Sequence, residues 1–259
     1  MKFTSLVFMV LGLAATSAFA EDIGSIESTD PAGSSVSVKD AQGATVQRAV
    51  GAPIAQAEHV LAAAGQTVVL KLKDGSEVSA APGADLSVEN YIPSQAGSMP
   101  HVVIQQGSAH FDINKTSTGH PTFFVHTSSA TMGVRGTEFI VDQQSDGYSV
   151  VHTLDGKVAM AKSEGDLENT SKSVDVAAGH TSYLHPSMSA PAASKIFNRK
   201  TYLTQLSKNY PGLTKQVEHS HQRQLQRKAA ENERAKQLKQ SSEEKKQIPP
   251  KRRPVKKKQ

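Results

Sequence analysis

The sequence predicts an all-β domain, built as a sandwich, a roll or a short β-solenoid of sequential hairpins, and followed by a helical and then disordered basic tail. Three observations lead to this fold class. Short runs of β-branched residues are separated by glycine-containing turns roughly every 8 to 12 residues. No stretch between residues 60 and 185 has the apolar period of an amphipathic helix. From Pro191 onwards the composition changes, which indicates a separate extension.

The N-terminus has the pattern of a secretory signal peptide at residues 1–20. Lys2 provides the positive start, residues 6–15 form an apolar core, and residues 18–20 (Ala-Phe-Ala) fit a cleavage site. The apolar core is shorter than the about 20 residues that cross a bilayer, which favours a cleaved signal peptide over an uncleaved anchor. We therefore expect an exported, periplasmic protein, or a secreted or peripherally envelope-associated one, with no transmembrane span in the mature chain.

The chain contains no cysteine. This excludes a lipid-anchored lipoprotein, disulfide bridges and thiolate zinc sites. Stability must then come from a hydrophobic core, and residues 36–190 are numerous enough to form one. The preceding residues 21–35 are rich in Ser, Gly and Asp, so we expect a disordered lead there.

Two Asp-Gly pairs mark the predicted hairpins of the β domain. Asp74-Gly75 separates residues 68–72 from residues 77–80, and Asp155-Gly156 separates two further β-branched runs. An Asp-Gly pair in this setting is a strong hairpin signal, because both central positions of the turn need positive φ. Further strands are predicted at residues 102–105, 108–113, 123–127, 137–141 and 181–184.

A helical extension is predicted at residues 194–246. Ser194 can cap a first helix, and Pro211-Gly212 ends it. Residues 213–246 have too few apolar positions for a coiled coil, so a solvated polar helix is expected there. The first helix has one apolar face that either packs on the β domain or docks a partner, formed by Ile196, Leu203, Leu206 and Tyr210.

The charges of the chain are unevenly distributed. Residues 21–194 hold 9 Lys and Arg against 19 Asp and Glu, so 9 − 19 gives −10, whereas residues 195–259 hold 19 cations against 5 Glu, so 19 − 5 gives +14. Such asymmetry indicates an interaction tail. The tail at residues 247–259 is predicted to be disordered. Its candidate residues for binding an anionic surface are Lys251, Arg252, Arg253, Lys256, Lys257 and Lys258.

Several roles of this tail remain open at the level of sequence. It could bind an anionic glycan or lipid, such as peptidoglycan, lipopolysaccharide or phospholipid, or an acidic protein. It could also fold back on the acidic body or serve only as a solubilising end. Because the signal peptide predicts export, no nucleic acid partner is expected.

Six short motifs follow one another between residues 61 and 184. They are an Asp-Gly-Ser turn, a Gly-x-Ala-x-Phe segment, a Pro-x-Phe-x-Val strand, the stretch Gly-Val-Arg-Gly-Thr-Glu-Phe, a late Gly-x-Val strand and a closing Ala-Gly turn. Their principal residues are Asp74, Gly75, Gly107, Phe111, Gly133, Gly136, Thr137, Phe139, Gly156 and Gly179. In this order the motifs are similar to those of the FecR family of periplasmic signalling modules, and the stretch resembles a FecR domain.

The resemblance implies a binding module whose motif residues hold the fold together and form no active site. A FecR protein has a cytoplasmic anti-sigma segment and a transmembrane helix before this domain. Here a predicted signal peptide stands in their place, so a direct hold on a cytoplasmic sigma factor is not expected. What the resemblance predicts is engagement of an unknown envelope protein.

Chemistry at a catalytic or metal site is not expected. Nucleophile elbows and phosphate loops have characteristic motifs, and neither G-x-S-x-G nor a P-loop ending in Lys-Ser/Thr occurs. The histidines of the β domain show no metal-ligand spacing and are predicted to be scattered: His101, His110, His120, His126, His152, His180 and His185. We therefore predict no catalytic residue, no metal and no cofactor.

Two functional hypotheses follow. The first is a non-enzymatic periplasmic module that binds or senses a protein partner, with the basic tail as a tether to an anionic surface. The alternative is a structural envelope protein that binds glycan or lipid through the tail. An enzyme would require a cleft with converging titratable groups that the sequence does not reveal.

Overall fold

A computed structural model describes residues 21–115 and 122–247 of the chain. The predicted signal peptide and the six candidate cations of the tail, Lys251 to Lys258, lie outside these described residues. The first nine strands are β1 (Asp22–Asp30), β2 (Val36–Lys39), β3 (Thr45–Arg48), β4 (Pro53–Ala55), β5 (His59–Leu61), β6 (Thr67–Leu72), β7 (Glu77–Ala80), β8 (Asp85–Glu89) and β9 (His101–Asp112).

The remaining elements complete the β body and add two helices. The later strands are β10 (Phe123–His126), β11 (Thr131–Val134), β12 (Glu138–Gln143), β13 (Ser149–Asp155), β14 (Lys157–Ala161), β15 (Ser173–Ala177), β16 (His180–Leu184) and β17 (Lys195–Ile196). A 3-10 turn, Glu164–Asp166, follows β14. The helices are α1 (Arg199–Asn209) and α2 (Pro211–Gln247).

The strands form two layers that share β9. In the first layer the order is β4-β1-β6-β7-β9-β12-β13-β16-β17. In the second layer it is β3-β2-β5-β8-β9-β10-β11-β14-β15. Among the described strand pairs, β9 with β10 is parallel and the others are antiparallel. The all-β prediction followed by a helical extension is confirmed, and of the predicted architectures the chain adopts the sandwich.

Aromatic side chains join the two layers across one hydrophobic core. Phe111 on β9 stacks on Phe139 on β12, with ring centroids 4.8 Å apart. Phe111 also contacts Phe123 on β10, in the opposite layer, edge-on at 6.3 Å. All three rings are fully buried. Burial of aromatic rings of this size is worth several kcal/mol in total, so they are main contributors to the stability of the sandwich.

The prediction that residues 21–35 form a disordered lead is wrong. Residues 22–30 form β1, which pairs with both β4 and β6 and fully buries Ile23 and Ile26. The register of β1 shifts twice along these partners, and each irregularity breaks the strict alternation by which a half-buried strand is recognised. The two buried isoleucines are therefore three residues apart and are separated by a glycine and a serine. This spacing lacks the two-residue period from which a strand is predicted.

Residues 102–105 and 108–113, predicted as two strands, form the single strand β9. Its first half pairs with β8 and β10 in the second layer, and its second half pairs with β7 and β12 in the first layer. The strand bends between layers at Gly107, which has φ +85°. A Cβ atom at this position would lie 2.8 Å from the Cα of Ala84, so glycine is needed for both the conformation and the space.

We expect Gly107→Ala to lower the free energy of unfolding by about 2–3 kcal/mol, because it adds strain at positive φ and a clash with the backbone. Gly83→Ala is the matched control, since Gly83 also has positive φ but its added Cβ would meet no atom within 4 Å. The control should cost about 1 kcal/mol. Urea denaturation of both variants measures the difference, and equal losses would show that crowding at Ala84 is unimportant.

The two Asp-Gly pairs have different outcomes. Asp74-Gly75 joins β6 to β7 in a hairpin, with Lys71 opposite Glu77, as predicted. The predicted hairpin at Asp155-Gly156 is wrong, because β13 pairs within the first layer and β14 within the second. Both pairs create a sharp turn, but the second turn moves the chain to the other layer.

The helical extension begins later than predicted. The side chain of Asn198, and not that of Ser194, caps α1 by accepting a hydrogen bond from the Thr201 amide at 3.0 Å. Ile196 was predicted on the apolar face of this helix; it lies instead in β17 and is 82% exposed. In the described part of the chain, neither helix combines the length and apolar character that a membrane span requires.

Candidate functional site

The turn residues of the family-like motifs are used to build the fold. Asp74 accepts hydrogen bonds from both the amide and the hydroxyl of Ser76, each at 2.9 Å, and so closes the β6–β7 hairpin. Gly75, Gly136, Gly156 and Gly179 all lie in turns with positive φ. These positions shape the backbone and present no reactive side chain.

The stretch around Gly133 joins the end of β11 to β12. Gly133 itself lies inside β11, between Phe124 and Ala159 on the neighbouring strands. Thr137 is buried and donates its hydroxyl hydrogen to the carbonyl oxygen of Lys157 at 3.0 Å. Together with the core rings of Phe111 and Phe139, these contacts account for the motif residues as structural ones.

The outer face of the first layer is covered by the two helices. Leu206 of α1 and Leu213 and Val217 of α2 are buried against Ala81 and Ile140. The apolar face of α1 therefore packs on the β domain. The interpretation of residues 213–246 as a solvated helix is wrong for the first turns of α2, because Leu213, Val217 and Ser220 share a single buried stripe.

A cluster of charged side chains attaches α2 to strands β7 and β9 of the first layer. The guanidinium of Arg223 forms two hydrogen bonds of 2.5 Å with Glu77 on β7 and a third, of 3.2 Å, with Asp112 on β9. Lys71 also binds Glu77, at 2.6 Å. Burial alone would raise the pKa of Glu77, but the hydrogen bonds from Arg223 and Lys71 outweigh it and lower the pKa below 4.5.

A second, fully internal pair lies beside this cluster. His110 on β9 and Glu138 on β12 are 2% and 0% exposed, and their side chains are 3.1 Å apart. The second carboxylate oxygen of Glu138 and the Nε of Arg223 have no hydrogen-bond partner among the described residues. The positive charge of Arg223 is thus held beside three carboxylates: Glu77, Asp112 and Glu138.

Further ion pairs attach α2 to the acidic body. Lys215 contacts Asp30 at 2.8 Å and Lys228 contacts Asp155 at 3.0 Å. The described side chains of α2 between residues 232 and 237 are exposed. These ion pairs hold the first half of α2 against the acidic body, whereas the tail cations, for which folding back was one alternative, lie outside the described residues.

His152 on β13 is enclosed by α1. Its ring lies 4.2 Å from that of Tyr202 and 5.2 Å from that of Phe197, measured between centroids. Its Nδ1 atom has no hydrogen-bond partner among the described residues. Burial lowers the pKa of His152 to about 4, while the nearby carboxylate of Asp142 acts in the opposite direction.

Two other histidines meet a carboxylate on the second layer. The Nδ1 atom of His101 lies 3.0 Å from the Nε2 atom of His126, and Oε1 of Glu164 lies 3.2 Å from the first nitrogen and 3.3 Å from the second. The prediction that the histidines are scattered is therefore wrong for this pair. His101 and His126 are half-buried and Glu164 is more exposed. Burial and the adjacent His101 ring lower the pKa of His126, which favours its neutral form.

The backbone explains why these three residues converge. β9 and β10 are parallel, with His101 opposite Phe124 and His126 two residue pairs further along, on the same face. Glu164 begins the 3-10 turn after β14, and this turn is braced by hydrogen bonds from Ser163 and Lys172 to Asp166. An open groove of about 850 Å³ begins at Phe124 and Glu164 and extends past the Gly133–Gly136 turn.

Comparison with known families identifies the central part of the chain. Residues 58–159 match the family model described as "FecR protein". The chain contains a FecR domain. Proteins of the FecR family are regulatory and envelope-associated. This confirms the resemblance seen in the sequence motifs.

Solved structures and curated sequences add little to this assignment. Two crystal structures of a "putative anti-sigma factor" from Parabacteroides distasonis ATCC 8503 are similar to the chain at 20% sequence identity. The first has a TM-score of 0.46 and aligns over 57% of this chain and 64% of the other; the second has a TM-score of 0.44 and aligns over 59% and 74%. The chain thus spans less than two thirds of the first structure's length. No curated protein sequence matches it.

Three features described above lie outside the FecR domain as matched. They are β1, the helices α1 and α2, and the turn that carries Glu164. The FecR domain supplies Glu77, Asp112, His101, His126 and His152, whereas their partners Arg223, Glu164 and Tyr202 come from the segments after it. The candidate sites are therefore formed between the domain and its C-terminal additions.

Proposed function

We propose that the chain is a non-enzymatic periplasmic binding or sensing module. Its FecR domain would engage a protein partner in the cell envelope, and its basic C-terminal residues would tether it to an anionic surface. The observation that carries this proposal is the FecR domain at residues 58–159, whose motif residues are used in turns and core and leave the outer surfaces to binding.

A free strand edge favours a protein as the partner. Among the described strands, β3 pairs with β2 alone, so its other edge is open. Val46 in this strand is 45% exposed, and Val50 just beyond it is 42% exposed. An edge with unpaired backbone groups and exposed apolar side chains can accept an added strand from another protein.

Photo-crosslinking tests the edge directly. Val46→p-benzoylphenylalanine should give one discrete protein adduct in cells that make the protein. Glu168→p-benzoylphenylalanine, at an exposed position after β14, is the matched control and should give none. Absence of an adduct at position 46, or the same adducts at both positions, would contradict the assignment of the partner surface to β3.

The charge of the tail supports the tether. Residues 251–258 contain six cations and no carboxylate. Close to an anionic membrane each such cation contributes about 1 kcal/mol at modest salt, so a group of six can hold the protein at a surface without an apolar anchor. A negatively charged glycan network offers a similar attraction, which salt weakens.

Deletion of residues 246–259 is expected to release the protein from the envelope. We predict that the full chain sediments with cell envelopes at low salt and that the shortened chain remains in the soluble fraction. High salt should release the full chain as well, because screening weakens each ionic contact. Fractionation and immunoblotting measure this outcome, with removal of all six charges by Lys→Gln and Arg→Gln substitution as the length-matched control.

The crosslinking and fractionation experiments can refute the two parts of the proposal independently. If the shortened chain still sediments at high salt, the tether is refuted while the partner edge stands. If sedimentation depends on the tail and no adduct forms at Val46, the alternative of a structural envelope protein bound through its tail is the better account.

A further inference from the structure

The three donor atoms of His101, His126 and Glu164 face one another as the corners of a nearly regular triangle. Its edges are 3.0, 3.2 and 3.3 Å. We propose that these residues form a binding site for a divalent transition metal ion of the Zn²⁺ class, a function that goes beyond the proposed role in partner binding.

The size of the triangle agrees with a tetrahedral metal site. With Zn–N and Zn–O distances near 2.0–2.1 Å, neighbouring ligands of a tetrahedral ion are separated by about 3.3 Å. The observed edges lie at or slightly below this separation, so an ion needs only a small outward displacement of the side chains. The three atoms form one face of a tetrahedron and leave the fourth corner free.

The contacts around the site hold the imidazole rings in place. His126 directs its Nε2 atom to the triangle, while its Nδ1 atom lies 3.1 Å from the hydroxyl of Thr131 on the adjacent strand. His101 packs against Phe124, with ring centroids 4.9 Å apart, and stacks on His126 at 5.2 Å. Hydrogen bonding at the far nitrogen fixes the tautomer and orientation of a metal-binding histidine in many proteins.

The kinds of donor select the class of ion. Two imidazole nitrogens and one carboxylate oxygen suit Zn²⁺, Co²⁺ or Ni²⁺, whereas Mg²⁺ and Ca²⁺ prefer sites made of oxygen alone. A second carboxylate, Glu89, lies on β8 opposite His101 and adds negative charge to the region. The exposed side of Glu164 faces the groove beside Phe124, which leaves room for water or another ligand at the fourth position.

The competing explanation is a hydrogen-bonded cluster with no metal. One histidine can donate a proton to the other, and a protonated histidine can pair with Glu164. Such a cluster stabilises the fold modestly but does not discriminate between transition metals and alkaline-earth ions. Metal selectivity and its dependence on all three side chains therefore distinguish the two explanations.

Calorimetric titration with Zn²⁺ of the purified chain, free of any histidine tag, tests the proposal. We expect one site per chain, and no saturable binding of Mg²⁺ or Ca²⁺. His101→Gln and His126→Gln should each weaken Zn²⁺ binding by at least about 100-fold, because loss of only a supporting contact already costs about 10–100-fold. Thr131→Val, which keeps all three ligands, should weaken it by about 10-fold.

The matched controls are His180→Gln and Glu27→Gln, which alter a histidine and an exposed glutamate of the first layer and should leave the affinity unchanged. Glu164→Gln removes a ligand from an exposed turn and keeps the test decisive if a histidine variant does not fold. Co²⁺ should give the visible absorption of a four-coordinate ion, and this absorption should disappear in Glu164→Gln.

Three results would overturn the proposal. The first is a chain that binds no more Zn²⁺ than the His101→Gln/His126→Gln double variant. The second is equal loss of affinity in the control variants. The third is binding of Ca²⁺ as tightly as Zn²⁺.

Discussion

Replacement of Arg223 by alanine is expected to lower the free energy of unfolding by about 3 kcal/mol. The substitution leaves Glu77 and Asp112 beside the buried Glu138 and removes the cation that faces all three carboxylates, so that Glu77 keeps only its ion pair with Lys71. Breaking a buried ion pair from one side typically costs 3–5 kcal/mol, and the lower end applies here because a quarter of the Arg223 side chain is exposed. Urea denaturation at neutral pH measures the change.

Hydrogen exchange should show where the loss occurs. In the native chain the amides of α2 near Leu213 and Val217 are expected to be protected, and Arg223→Ala should expose them while β9 and β12 remain protected. Arg234→Ala, an exposed position on the same helix, is the control. If both substitutions have the same small effect, the charge cluster does not hold the helix.

The same cluster has a defined pH dependence. The pKa of Glu77 is lowered in the folded state, so its ionic contribution is fully present above the unfolded value of 4.5 and is lost as the pH falls through the folded value. Combining Arg223→Ala with Glu77→Gln should recover part of the lost stability, because the second change removes a carboxylate that has lost its main partner.

Acidification from pH 7.5 to 5 is expected to cost the native chain about 2 kcal/mol through His152 alone. Burial lowers the pKa of this ring to about 4 from the ordinary value of 6.5, so the neutral form is favoured in the folded state. Its stabilising effect is complete above pH 6.5 and is lost progressively between pH 6.5 and 4, to a total of about 3 kcal/mol.

His152→Phe should remove this pH dependence, since the ring remains between Phe197 and Tyr202 but no longer titrates. The free energy of unfolding, measured by urea denaturation at several pH values, should then fall by about 2 kcal/mol less between pH 7.5 and 5 than in the native chain. His180→Gln is the control and should retain the native slope. Parallel profiles for the native chain and His152→Phe would show that His152 is not enclosed by α1 as described.

Local signals in the sequence predict the parts of the fold that depend on neighbours along the chain. The turn at Asp74-Gly75 and its two strands are recognisable because the glycine and the β-branched runs act locally. By contrast, Gly107 and Asp155-Gly156 mark bends whose consequences depend on the other layer. A turn signal indicates that the chain bends but does not indicate with which strand the following segment pairs.

The candidate sites depend on contacts between distant parts of the chain and could not be predicted from spacing. His101 and His126 become neighbours because β9 and β10 are parallel, and Glu164 joins them from a turn after β14. Arg223 reaches Glu77 across 146 positions of sequence. The sequence does contain one signal for the buried face of α2, because the four-residue spacing of Leu213 and Val217 places both on the same side of a helix. Two apolar residues within a polar segment are nevertheless a weak indication that the helix packs on the domain.

The length of α2 gives the molecule a spacer. Its last described side-chain contact with the body is at Lys228, and the remaining helical residues to Gln247 extend by about 28 Å at 1.5 Å per residue. The Debye length at physiological ionic strength is only about 8 Å. A surface held by residues 251–258 would therefore lie several Debye lengths from the acidic β body. In the tether proposed above, the helix would keep the negatively charged domain beyond the range of electrostatic repulsion from a negatively charged surface.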